Sequence, residues 1–133
     1  MPRFSPTVVD HFTNPRNIGQ LASANVRAFV GNPVCGDQIL LTAHVSDGIV
    51  ADLRFQAFGC SASLAVASLL TTVLMGESVN LAGTLDADRI EELTGGLAPD
   101  QRHVAALAAD VAHRLVANFR SGVSDDDPIS CAS

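Results

Sequence analysis

The chain has 133 residues and a mass of 13.8 kDa, the size of one domain with one core. Hydrophobic residues at 47% and charged residues at 17% supply enough apolar surface for a packed globule and exclude general disorder. A formal charge of −6, from 14 acidic and 8 basic side chains, argues against nucleic acid or an anionic membrane as the main partner.

Phe4 to Phe12 carries apolar residues at 4, 8, 9 and 12, the spacing of a short amphipathic helix. Asn14-Pro15 ends it, because the residue before proline avoids helical geometry. A strand is predicted around Val26–Val30. Two further β-branched-rich runs, Ile39–Val45 and Ile49–Phe55, flank Ser46-Asp47-Gly48, and Asp-Gly between such runs signals a hairpin. Together the three runs predict an antiparallel sheet. Beyond Cys60, the Ala, Leu and Ser of Ser61–Met75 predict a helix, with Gly76 as its stop. Asp86-Ala87-Asp88 opens a short helix through Leu93, ended by Gly95-Gly96. Pro99 starts a last helix to about Phe119, with Val104, Leu107, Ala108, Val111 and Leu115 on one face. No repeat or linker interrupts this order. The expected organisation is a single α+β domain over residues 1–120 and a flexible acidic tail over 121–133, containing Asp125-Asp126-Asp127.

Composition narrows the chemistry. All eight basic residues are arginine, so the lysine of Schiff-base chemistry or of a phosphate-binding loop is absent. Trp and Tyr are absent too, which removes most of the stacking surface of single-strand nucleic-acid binders. Three widely separated cysteines make no disulfide framework and suit a reducing compartment, with thiols kept for metal or sulfur chemistry. Residues 1–6 lack the apolar run of a signal peptide, and no window approaches a membrane span. A soluble, cytoplasmic protein is expected.

Gly31-Asn32-Pro33-Val34-Cys35-Gly36-Asp37 falls between two predicted strands, where Pro and two Gly make a tight turn with Cys35 and Asp37 exposed at its tip. Both are metal-ligand types, although an ordinary turn with an incidental thiol reads the same way. Phe58-Gly59-Cys60-Ser61-Ala62-Ser63 is a strand-to-helix junction. A thiol at a helix N-terminus is favoured as thiolate, and Gly59 suggests close approach of backbone to a neighbour. The bland alternative is a small buried residue under the sheet. His103 stands near the start of the last helix, where an isolated histidine is most often a surface residue. His11 reads as a packing or hydrogen-bonding residue, His44 and His113 receive no role, and Cys131 reads as a bystander in the tail. Taken together, Cys35, Asp37, Cys60 and His103 give two thiols, one carboxylate and one imidazole at element ends. That is a tetrahedral set suited to Zn²⁺ or to iron with bridging sulfide. The absence of Cys-x-x-Cys pairs separates it from zinc fingers, and the absence of His-x-Glu from zinc deaminases.

Three motifs in order resemble the IscU / NifU N-terminal family of iron–sulfur cluster scaffolds. Val8–Gly19, with Asp10-His11-Phe12 and Asn14-Pro15-Arg16-Asn17, resembles its N-terminal signature. The segments around Cys35 and Cys60 resemble its first two ligand motifs, and Glu91-Glu92-Leu93 with Leu97–His103 resembles the approach to its third. The similarity runs from about Phe4 to Arg120. It implies a small three-stranded antiparallel sheet with helices packed on one face, and a cluster or zinc ion at one exposed end. Carried over position by position, Cys35, Asp37, Cys60 and His103 are the metal-site residues.

The chain departs from the family at three places. The family cysteine that follows the histidine is Val104 here, leaving two thiolates at the site. The Pro-Pro-Val-Lys segment read by an Hsp70-type chaperone is Ala98-Pro99-Asp100-Gln101, and the N-terminal tyrosine is Phe4. These departures weigh against sulfur acceptance at a third cysteine and against chaperone-assisted release. No long insertion separates Cys60 from His103, so the SufU branch fits less well.

The resemblance implies a non-enzymatic scaffold that receives sulfur from a cysteine desulfurase and iron from an iron donor. It would hold a transient [2Fe–2S] cluster and pass it to recipient apo-proteins or carriers, with Cys35 as candidate sulfur acceptor. Two alternatives stand beside it. One is a sulfur acceptor in which Zn²⁺ holds Cys35 as thiolate. The other is a non-catalytic paralogue that regulates the desulfurase.

Overall fold

The hairpin at Asp47-Gly48 organises the sheet. Both residues take left-handed backbone angles, φ 54° and 77°, the geometry that matches a two-residue turn to the twist of its strands. The computed structural model describes residues 5–31, 36–59 and 61–122, with the backbone alone at Asp100. Strands β2 (Gln38–Ser46) and β3 (Ile49–Phe58) flank the turn, and β1 (Val26–Gly31) pairs with the other edge of β2. All pairings are antiparallel in the order β1-β2-β3, as expected.

Register explains the core. Ala28, Leu41 and Phe55 align across the three strands, as do Val26, Ala43 and Leu53, and all six are buried. Val50 and Leu53 are an odd number of residues apart yet both buried. A bulge between the His44–Asp52 and Val45–Val50 pairs absorbs the extra residue and returns both side chains to the core.

Helices α2 (Ser61–Leu74) and α4 (Arg102–Ser121) pack on the sheet, α2 against β3 and α4 against β1. α2 is buried on most of its circumference, through Ala62, Ala65, Val66, Ala67, Leu70 and Leu74 among others. Its many small side chains let it approach its neighbours closely. The predicted face of α4, from Val104 to Leu115, is buried at every position named. Helix α1 (Pro6–Thr13) lies on α2, and α3 (Ala87–Thr94) on α4.

Element ends differ from the sequence reading in understandable ways. α1 begins at Pro6, after Phe4, because the Ser5 hydroxyl caps Val8 N and proline suits the first helical position. Pro99–Gln101 forms a separate 3-10 turn before α4. A 3-10 turn at Val79–Thr84, capped by Ser78, was not foreseen; six residues are too few to show a period. Nor was the pairing of Asn17–Gly19 with the β3 edge, where Asn17 O accepts from Phe55 N and Gly19 N donates to Phe55 O. The proposed acidic tail lies outside the described residues from position 123 onward.

Candidate metal centre

Three elements converge on one carboxylate. Asp37 immediately precedes β2, and the Gln38–Phe58 pair places it across from Gly59 at the end of β3. Gly59 has φ +125°, and a Cβ there would fall 1.9 Å from Asp37 Oδ1 and 2.9 Å from its Cα. Only glycine leaves room for the aspartate. In the first turn of α2, Ser63 Oγ donates to Asp37 Oδ1 at 3.0 Å. At the start of α4, His103 Nε2 lies 2.6 Å from Asp37 Oδ2. These partners offset the desolvation that an unpaired buried carboxylate would suffer.

Asp37 is 3% exposed, which corrects the expectation of a carboxylate displayed at a turn tip. Ser63, His103 and the missing Cβ of Gly59 draw the side chain inward. His103 keeps 40% of its side chain exposed, so solvent reaches the pair from the histidine side. His103 is thus a surface residue but not an isolated one.

Asp37 and His103 are thus brought together, from positions 66 residues apart. Cys35, Cys60 and Cys131 lie outside the described residues. Among the described residues, no group of three or more His, Cys, Asp or Glu side chains assembles. The remaining histidines sit elsewhere, each with a hydrogen bond. His11 Nδ1 meets Ser68 Oγ, His44 Nδ1 meets Ser23 O, and His113 Nε2 meets Leu85 O. Val104, next to His103, is fully buried in the core. Sequence reasoning assigned nothing to Ser63. The available signal was a hydroxyl in the first turn of the helix that follows a candidate ligand.

The geometry suits a metal ion. Zinc with nitrogen and oxygen ligands at about 2.0–2.2 Å sets neighbouring tetrahedral donors about 3.3 Å apart. Asp37 Oδ2 and His103 Nε2 already face each other at 2.6 Å, across the place where an ion would sit. A small widening would admit it. An imidazole and a carboxylate are ligand types of both zinc and ferrous iron. Among the described residues no helix is long and apolar enough to cross a membrane.

Residues 3–125 match the family described as the NifU-like N terminal domain. The chain is 38% identical over 116 residues to the iron-sulfur cluster assembly scaffold protein IscU 1 of Archaeoglobus fulgidus, covering 87% of this chain and 76% of that protein. It is 37% identical over 123 residues to the iron-sulfur cluster assembly scaffold protein IscU of Escherichia coli, covering 89% and 94%. The crystal structure of a NifU-like N-terminal protein from Brucella abortus superposes with a TM-score of 0.71. It covers 88% of this chain and 94% of that one at 18% identity, a likeness of fold.

Proposed function

The chain belongs to the NifU-like N-terminal domain family, and from that premise we propose that it is an iron–sulfur cluster assembly scaffold whose ligands are Cys35, Asp37, Cys60 and His103. It is not an enzyme; it supplies ligands and geometry. Sulfur comes from a cysteine desulfurase, with Cys35 as acceptor, and iron from an iron donor. The cargo is a [2Fe–2S] cluster, handed to recipient apo-proteins or carriers. Zn²⁺ occupies the same ligands in the purified protein. The scaffold domain spans residues 1–120, with Ser121 closing its last helix, and the protein works in the cytoplasm. Hsp70-type chaperone recognition has no support at Ala98-Pro99-Asp100-Gln101.

The observation that carries this reading is the contact of Asp37 Oδ2 with His103 Nε2, a carboxylate and an imidazole joined across the fold. An oxygen ligand holds iron more weakly than thiolate does, which suits a cluster meant to leave. The test is anaerobic reconstitution with ferrous iron, cysteine, a cysteine desulfurase and excess thiol reductant to bring persulfide sulfur to sulfide, followed by transfer to an apo-ferredoxin. Wild type should develop the visible absorption of a [2Fe–2S] cluster and pass it on, and Cys60→Ala and His103→Ala should lose most of it. A wild-type protein that gains persulfide but no cluster would favour the zinc-dependent acceptor instead. Undiminished cluster in both variants would contradict the ligand assignment.

A further inference from the structure

We propose that Ser63 is a positioning residue for the metal: its hydroxyl fixes the Asp37 carboxylate so that Oδ2 alone is presented to the ion. This rests on the reading of Asp37 and His103 as ligands and assigns a role to a residue outside that set.

A free carboxylate has two equivalent oxygens and can bind a metal through either or both. Here they are made unequal. Oδ1 accepts from Ser63 Oγ at 3.0 Å and lies on the side left open by Gly59, whereas Oδ2 meets His103 Nε2 at 2.6 Å. Turning the carboxylate about its Cβ–Cγ bond would exchange the oxygens, and the Ser63 hydrogen bond opposes that turn. Ser63 can hold it because it is itself immobilised. It is fully buried, in the first turn of a helix whose next turns are packed in the core through Ala65, Val66 and Leu70. A ligand held by a partner on a rigid element binds with less loss of freedom. Loss of such an outer partner typically lowers metal affinity about 10–100-fold.

A hydroxyl that merely fills its place in the core would have no such effect, and zinc affinity separates the two. Zinc dissociation constants are measured by chelator competition for wild type, Ser63→Ala, Asp37→Ala, the Ser63→Ala/Asp37→Ala double variant and His103→Ala. Alanine is smaller and a better helix former than serine, so α2 is expected to persist in Ser63→Ala. The expected result is a loss of about 10-fold in Ser63→Ala and less than about twofold when Asp37 is already alanine. An equal loss in both backgrounds would mean that Ser63 acts through the fold, and would overturn the inference. Wild-type affinity in Ser63→Ala, with weakened binding in Asp37→Ala, would overturn it while leaving the ligand reading intact. Unchanged affinity in both Asp37→Ala and His103→Ala would remove the ligand reading itself. X-ray absorption at the zinc edge of the wild-type protein needs no variant: one carboxylate oxygen in a four-ligand shell is expected, and a two-oxygen carboxylate would overturn the proposal.

Discussion

Two histidines join distant parts of this chain, and their surroundings suit them to different work. His11, on α1, is buried, and its Nδ1 meets Ser68 Oγ at 2.8 Å. Ser68 Oγ also accepts from Arg16 N at 2.9 Å, so one buried hydroxyl holds both His11 and the backbone beyond α1. Burial pushes the His11 pKa below its usual 6.5, Arg16 pushes it further, and Asp10 opposes both. His103, on α4, meets a carboxylate instead of a hydroxyl and remains open to solvent. A neutral, enclosed pair closes an interface between helices. A carboxylate–imidazole pair with an open side is the arrangement proposed here to take up a metal ion.

The largest effect should come at the backbone that frames the second pair. Gly59→Ala puts a Cβ against Asp37 and forces an L side chain to φ +125°. The cost should be about 2–4 kcal/mol, seen as a fall in melting temperature on the order of 10 °C together with weakened zinc binding. An unchanged melting temperature would mean that Asp37 can move aside freely.

At the first pair, Ser68→Ala removes the shared partner of His11 and Arg16 N, and should destabilise the fold by about 1–3 kcal/mol in urea titration. Zinc affinity should not change. If zinc binding fell with stability, the two histidine regions would be one coupled unit.

The pH response sharpens the contrast. A folded-state pKa below 6.5 means that the unfolded chain binds more protons than the folded one near that pH. The His11 contribution to stability is therefore present above about pH 6.5 and lost as pH falls towards the folded value. Urea midpoints between pH 7.5 and 5.5 should fall less steeply in His11→Gln than in wild type. Parallel slopes would remove His11 as the source. The smallest effect is expected for Val104→Cys. At this fully buried position cysteine behaves as a small apolar residue, so stability should change by about 1 kcal/mol or less. Cluster yield in reconstitution should rise if a thiol at position 104 adds a ligand, and an unchanged yield would show that it adds none.

Much of the fold was legible because local chemistry and tertiary structure agree. Asp47-Gly48 made its hairpin, Gly95 its left-handed helix end, and the apolar face from Val104 to Leu115 its core contact. What escaped depends on distant partners. The bulge beside Val45, the pairing of Asn17–Gly19 with Phe55 and the turn at Val79–Thr84 have no periodic signal of their own. The site divides the same way. Gly59 announced a close approach but not to what, and a Gly- and Pro-rich turn announced exposure where Asp37 is buried. Spacing alone made His103 a surface residue; the family resemblance singled it out, and the fold sets it against Asp37. Cys35 and Cys60, outside the described residues, rest on the resemblance.

Imidazole nitrogen NMR during zinc titration tests the division between the two histidines most directly. The ring nitrogens of His11 and His103 are resolved by long-range proton–nitrogen spectra, assigned with His11→Gln and His103→Ala. The account predicts that one equivalent of zinc moves His103 Nε2 to a metal-bound shift and leaves both His11 nitrogens in place. A His103 ring that keeps its metal-free shifts while zinc binds, or a His11 ring that takes up the metal instead, would contradict it.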